Sequence, residues 1–196
     1  MRCSNMGESS VTLRRLVWDD WQAVHSWGSL PEFCRYQAWG PNTPEQSREF
    51  VRAALDDSAR NPQNRFVYLA ILDGQPVGSG ELNIRDRTHR QGEISYGIHP
   101  AHWGRGIGTS IGRQLLALGF DHLNLHRIYA TCDPRNTGSG RILAKLGMTH
   151  EGRLRHSLLL RDGWRDSDLF SVLEPEWAGE NDRGGPNPDP RGLSHP

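Results

Sequence analysis

Cysteine is scarce in this chain. Cys3, Cys34 and Cys132 are far apart, and no C-x-x-C pair occurs. That pattern argues against a disulfide scaffold or a zinc site, and it makes a reducing cytoplasm the default compartment. An excess of one charge is also missing. Lys plus Arg total 23 and Asp plus Glu total 23, so the sequence does not favour nucleic acid or an anionic membrane as a partner. No apolar run approaches the length of a bilayer span. Met1 to Ser10 is polar, lacks the apolar core of a signal peptide, and reads as a flexible N-terminus. No internal repeat appears. A length of 196 residues suggests one domain with a sizeable core.

The informative stretch runs from Gln91 to Thr109. Ile94, Tyr96 and Ile98 alternate with Glu93, Ser95 and Gly97, which predicts a strand with one apolar face. Pro100 ends the ladder because it has no N–H to donate. The glycine-rich turn Gly104-Arg105-Gly106-Ile107-Gly108-Thr109 follows. From there Ile107, Ile111, Leu115 and Leu118 recur at helical spacing. Strand, glycine turn, helix is an arrangement in which free backbone N–H groups and the helix dipole favour an anion. The glycines let a phosphate approach without a Cβ in the way. The dinucleotide pattern G-x-G-x-x-G fails at Thr109 or at Ile111, and no Gly-Lys-Ser/Thr completes a P-loop.

Elsewhere the pattern alternates between strand and helix. Val11 to Val17 predicts a first strand. Asp19 and Asp20 open a helix carrying Trp21, Val24 and Trp27, and Phe33 to Thr43 reads as irregular. Thr43-Pro44-Glu45-Gln46 is a helix start, with Pro at the first position and Gln at the third. Arg65 to Leu72 and Val77 to Ile84 form a hairpin about Asp73-Gly74. Gly119 marks either tolerance or fraying at the end of the helix that starts near Gly106. Arg127 to Cys132 is a short strand and Asn136 to Leu146 a helix capped by Gly147. Two strands joined at Asp162-Gly163 close the body. After Trp177 the composition changes. Gly179 to Pro196 holds four prolines and no apolar residue except Leu193, which predicts a disordered tail. The expected division is a flexible segment at 1–10, a domain at 11–177 and a tail at 178–196. The order of elements is that of an α+β fold with a mixed sheet.

Several motifs together carry a family resemblance. Trp103-Gly104-Arg105-Gly106-Ile107-Gly108 is similar to the acetyl-CoA loop Q/R-x-x-G-x-G/A of the GNAT N-acetyltransferase superfamily. Trp103 stands in the Gln/Arg slot, as it does in the RimJ/RimL-like branch. Asn136-x-x-Ser139, then Lys145-Leu146-Gly147-Met148, then Glu151-Gly152, resemble further marks of that branch, as does Gly163-Trp164-Arg165-Asp166 through Glu176-Trp177. The resemblance covers Val11 to Trp177. It implies a central, mostly antiparallel sheet of about seven strands, flanked by helices and splayed into a V at the acetyl-CoA site. It also implies transfer of an acetyl group from acetyl-CoA to a primary amine, with no metal.

The implied roles fall on named residues. Backbone N–H groups from Arg105 to Thr109 would bind the pyrophosphate, although Arg105 equally reads as a solvated surface arginine. A backbone N–H near Ile98 or His99 would polarise the thioester carbonyl. Asn136 matches a position that contacts the cofactor, and it also suits helix capping. Glu93, on the polar face of the strand, is the first candidate base, and the alternative is a structural glutamate paired with Arg or Lys. Glu81, His99 and His102 are weaker candidates. The tyrosine that many GNAT enzymes use as acid has its slot at Leu143, which leaves Ser139 as the substitute to orient the sulfur or relay a proton. Arg35, Tyr36, Trp39 and Trp164 would line the acceptor pocket, or pack. The acceptor would be an amine-bearing small molecule or a peptide N-terminus, and a homodimer is compatible with the sequence. The competing readings are a non-catalytic acyl-CoA-binding module, weakly favoured by Leu143, and a nucleotide-binding protein, disfavoured by the failed loop patterns.

Overall fold

The computed structural model describes residues 10–181. Seven strands make one sheet: β1 (Thr12–Arg15), β2 (Arg65–Leu72), β3 (Gln75–Asp86), β4 (Gln91–Ile98), β5 (Arg127–Cys132), β6 (Thr149–Leu160) and β7 (Gly163–Leu173). Their order in the sheet is β1-β2-β3-β4-β5-β7-β6. The helices are α1 (Trp21–Gly28), α2 (Pro31–Cys34), α3 (Pro44–Ser58), α4 (Ile107–Ala117), α5 (Thr137–Lys145) and α6 (Glu174–Asn181). This is the α+β architecture expected from the sequence.

Alternation along the strands sends side chains to two separate cores. Leu69 joins Val24 and Trp27 of α1 and Val51 and Ala54 of α3 on one face. Its neighbours Tyr68 and Ala70 join Ile107, Ile111 and Leu115 of α4 and Leu143 of α5 on the other. Local signals act as anticipated. Thr43 Oγ1 accepts from the Gln46 N–H and Gln46 Oε1 accepts from the Thr43 N–H, a reciprocal cap for α3. Asp73 and Gly74 both take positive φ, 52° and 75°, as a two-residue hairpin turn requires.

One relationship positions the site. Every neighbouring pair of strands is antiparallel except β4 and β5. Those two pair only at Gln91–Arg127, Gly92–Ile128 and Glu93–Tyr129. Both strands continue beyond that point, β4 to Ile98 and β5 to Cys132. They diverge there, and the opening is the expected V.

Several expectations need correction. The segment from Phe33, read as irregular, begins inside α2, for which Pro31 supplies a pre-set φ at the first turn. Asp20 is more than an acidic helix start. It is buried, accepts from the Val17 N–H at 2.7 Å and takes two bonds of 2.8 Å from Arg14. Gly119 does not mark fraying. A Cβ there would stand 2.4 Å from Ile128 Cδ1, so the glycine lets the chain pass close to the sheet. The tail was expected to begin at residue 178, yet α6 runs to Asn181, with Trp177 stacked on Phe120 at 5.9 Å. Most of the expected N-terminal segment, residues 1–9, and the remaining tail, residues 182–196, lie outside the described residues.

Candidate active site

The glycine turn meets the requirements of an anion cradle. Gly104 and Gly106 both hold φ +76°, and neither has any atom within 4 Å of where a Cβ would stand. No side chain caps α4, whose N-cap is Gly106. The first N–H groups of the helix therefore have no intrahelical acceptor, an arrangement that can hold an anion such as a pyrophosphate. Gly108 has a different reason to be glycine. A Cβ there would come 2.7 Å from Ile142 Cδ1 and 3.1 Å from Ile98 Cδ1, so its absence lets α4, α5 and β4 approach closely. Arg105 is exposed, with Nη1 3.1 Å from His102 Nδ1. Thr109 lies in the first turn of α4.

The end of β4 narrows the choice of carbonyl-polarising donor. The His99 N–H donates to Val77 O at 2.9 Å, across to β3. Adjacent N–H groups on a strand point to opposite edges. The Ile98 N–H therefore faces the edge that β5 has left, while the one at His99 is already engaged. The His99 ring is also occupied, its Nδ1 accepting from the Ala101 N–H. Trp103, half exposed, donates its indole N–H to Ile98 O at 2.8 Å and ties the loop to the strand end.

Across the opening, Asn136 caps α5, its Oδ1 accepting from the Ser139 N–H at 3.1 Å. The Ser139 hydroxyl lies 3.3 Å from that of Tyr96. Tyr96 was read from the sequence only as an apolar strand position. Its alternation with Glu93 was legible, but its hydroxyl's partner on α5 was not. Burial pushes the Tyr96 phenol far above its usual range, although the bond to Ser139 acts the other way. Burial likewise raises the Cys132 thiol beside it. Leu143, in the usual tyrosine slot, is 1% exposed and belongs to the core.

Glu93 sits at the vertex of the V, on the opposite face of β4 from Tyr96. Arg85 grips its carboxylate at 2.8 Å through Nε and at 2.6 Å through Nη2. The structural ion pair is therefore real. Glu81 is also engaged, by Arg65 and Asn83. On this same face Gly97 leaves room for Phe33, whose Cζ would lie 2.5 Å from a Cβ at that position.

The predicted acceptor residues do not form one wall. Tyr36 donates to Arg135 O at 3.4 Å and lies under the exposed Arg35 at 5.5 Å. Trp39 packs on Phe33 at 5.8 Å. Trp164, 62% exposed, stacks on His156 at 6.3 Å. What joins the two sides is a pair of arginines that sequence reasoning missed. Arg161 donates to the carbonyls of Cys34, Trp39 and Gly40. Arg165 donates to Tyr36 O and Ser167 Oγ, and its buried Nε has no partner. A cavity of about 370 Å³ opens at this corner between the end of β5 and the β6–β7 hairpin, lined by Asp133, Arg135, Trp164 and Arg165 among others. Burial works to raise the Asp133 carboxyl, but its bonds to Arg135 outweigh this and hold it below the usual range. Among the described residues no group of three or more His, Cys, Asp or Glu is placed to hold a metal ion. No helix among them is long and apolar enough to cross a membrane.

Comparison with known proteins identifies the family. Residues 10–149 match the acetyltransferase (GNAT) domain family. The uncharacterized N-acetyltransferase p20 of Bacillus licheniformis is 31% identical over 170 residues, 86% of this chain and 96% of that protein. The spermidine N(1)-acetyltransferase of Escherichia coli K12 is 28% identical over 88% of this chain and 90% of its own length. The crystal structure of a GNAT-family acetyltransferase from Bacillus anthracis superimposes with a TM-score of 0.74 at 28% identity, covering 85% of this chain and 96% of that one. The matched family model spans well over half of the chain, and the chain belongs to that family: it is a GNAT acetyl-CoA-dependent N-acetyltransferase.

Proposed function

We propose that the chain is of the RimJ/RimL-like branch and acetylates a small-molecule amine or a peptide N-terminus by direct attack on acetyl-CoA. The observation that carries this reading is the parting of β4 and β5 beyond Glu93 and Tyr129. It exposes the Ile98 N–H beside the open N-terminus of α4. Acetyl-CoA supplies an acetyl group activated as a thioester. The N–H groups of Arg105 to Thr109 hold the pyrophosphate, Trp103 fixes the strand end, and Asn136 offers its amide N–H to the pantetheine arm. The Ile98 N–H polarises the thioester carbonyl. Losing such a donor costs about 3 kcal/mol in the barrier.

Proton transfers divide between the two faces of the sheet. Glu93 lies with Ser95 and Gly97 on the α1 side, where the amine arrives, and takes a proton from it directly or through water. Ser139 lies on the α5 side and serves the departing sulfur. Arg35, Tyr36, Trp39 and Trp164, with Arg161 and Arg165, frame the mouth. Neither Arg161 nor Arg165 has a carboxylate within ion-pair distance among the described residues. The Arg161 and Arg165 guanidiniums favour an amine near a carbonyl or carboxylate, and Asp133, Asp162 and Asp166, which line the same cavity, offset their repulsion of a second cation. The reaction uses no metal, the protein works in the cytoplasm, and neither nucleic acid nor membrane takes part.

Calorimetry with acetyl-CoA, followed by thiol release on peptides with free N-termini, amino acids, aminoglycosides and polyamines, tests this reading. Release with peptides or amino acids and little with polyamines is expected. A clear preference for polyamines would overturn the acceptor assignment.

A further inference from the structure

We propose that Tyr96 is a positioning residue for the acid side of the reaction: its hydroxyl holds that of Ser139 aimed at the sulfur that leaves as the acetyl group is transferred. The inference rests on the role of Ser139 given above. Three elements converge at this point of the opening: β4 brings Tyr96, α5 brings Ser139 and β5 brings Cys132.

The hydrogen-bond geometry offers two arrangements. The Tyr96 hydroxyl stands 3.3 Å from Ser139 Oγ and 3.4 Å from the Ser139 carbonyl oxygen. A phenol has one proton to give. Given to the carbonyl, it leaves the serine proton pointing at the phenol oxygen. Given to Oγ, it frees the serine proton to point elsewhere. A sulfur gathering negative charge selects the second arrangement, because a hydrogen bond to a charged acceptor is stronger than one between neutral groups. Without Tyr96 the serine side chain and its hydroxyl are free to visit other staggered positions. The buried phenol keeps its proton and acts as a donor, not a base. The thiol of Cys132 is a weak donor and a weak acceptor and competes poorly for the serine. Leu143, locked in the core, offers no alternative hydroxyl.

The proton count closes. The C–N bond forms as the C–S bond breaks, and the bonding pair goes to sulfur. The amine's proton leaves on the Glu93 face. The sulfur takes a proton from Ser139, whose oxygen is resupplied by water. Tyr96 ends as it began.

Tyr96→Phe keeps the ring and removes only the hydroxyl. The variant should lose roughly ten- to a hundredfold in kcat, the worth of one hydrogen bond to a charged group, with KM for acetyl-CoA little changed. Ser139→Ala should be slow as well, and the double variant no slower than Ser139→Ala alone, since the two hydroxyls act as one unit. A second readout is independent of turnover. Calorimetry compares CoA with desulfo-CoA, which lacks the sulfur. The preference of the wild-type protein for CoA should shrink in both single variants, while affinity for desulfo-CoA stays constant. Wild-type kcat in Tyr96→Phe with an undiminished CoA preference would overturn the inference. So would additive losses in the double variant. Failure of the underlying Ser139 role reads differently, as wild-type turnover in Ser139→Ala. If the Tyr96 inference alone is wrong, Ser139→Ala stays slow beside a normal Tyr96→Phe.

Discussion

Both contacts from Arg85 to Glu93 fall on a single carboxylate oxygen, Oε2, at 2.8 Å from Nε and 2.6 Å from Nη2. The guanidinium therefore holds the carboxylate at the vertex of the V, while no hydrogen bond from Arg85 reaches its other oxygen. An ion pair and a proton acceptor are thus compatible in one residue. Glu93→Gln should lower kcat by about a hundredfold or more, in the range of general-base catalysis, with acetyl-CoA affinity essentially unchanged. Arg85→Met should cost less, because it removes the hold on the carboxylate and keeps the base. Stopped-flow or steady-state thiol release with calorimetry decides the matter. Equal, small losses of stability in both variants with normal turnover would make Glu93 structural only.

Gly106 is the N-cap of α4 and holds a left-handed backbone. Its φ of +76° costs a residue with a Cβ about 1–2 kcal/mol, and the side chain would project into the open cradle. Gly106→Val should weaken acetyl-CoA binding by at least about tenfold, a change of 1.4 kcal/mol, and lower the unfolding midpoint only modestly. Calorimetry and urea titration separate the two effects. Unchanged affinity would remove the Arg105–Thr109 loop from the cofactor site.

Glu151 provides a test by pH. Arg127 binds both its oxygens at 2.6 Å and Ser171 adds a third bond, which hold the carboxyl at about 2 against an ordinary value of 4.5. A carboxyl with a lowered folded-state pKa contributes stability that is fully present above its unfolded value and is lost as pH falls through the folded one. The contribution is thus intact at neutral pH and fades between about pH 5 and pH 2. Partial exposure keeps it small. Glu151→Gln should be less stable than wild type at pH 7, and the gap should close towards pH 2. A gap independent of pH in urea titrations would exclude the ion pair as its source.

Much of the fold was legible because each element carries its own local signal. The Thr43 and Gln46 cap, the Asp73-Gly74 turn and the alternation from Glu93 to Ile98 need only a few neighbouring residues to act. The same holds for the glycine loop, whose donors belong to the backbone and whose openness follows from two missing Cβ atoms. Gly119 shows the limit. Its neighbours in sequence left tolerance or fraying open, but the reason it must be glycine is Ile128, on a strand. Tyr96 shows the same limit at the site, where period-two spacing assigns its face but not the serine its hydroxyl meets on α5.

By itself, the sequence determined the strand, glycine turn and helix that make an anion cradle, the order of elements and the family, because backbone propensities and motif spacing are written in adjacent residues. Only the tertiary structure decided which groups are free to act. It engaged the His99 N–H with Val77 and left that of Ile98 facing the opening, paired Glu93 with Arg85, and set Tyr96 against Ser139. It also anchored the segment from Cys34 to Gly40 through Arg161 and Arg165. These contacts join residues on different elements, most of them far apart in the chain, and hydrogen bonds of about 3 Å are decided by packing across elements, which no local pattern encodes.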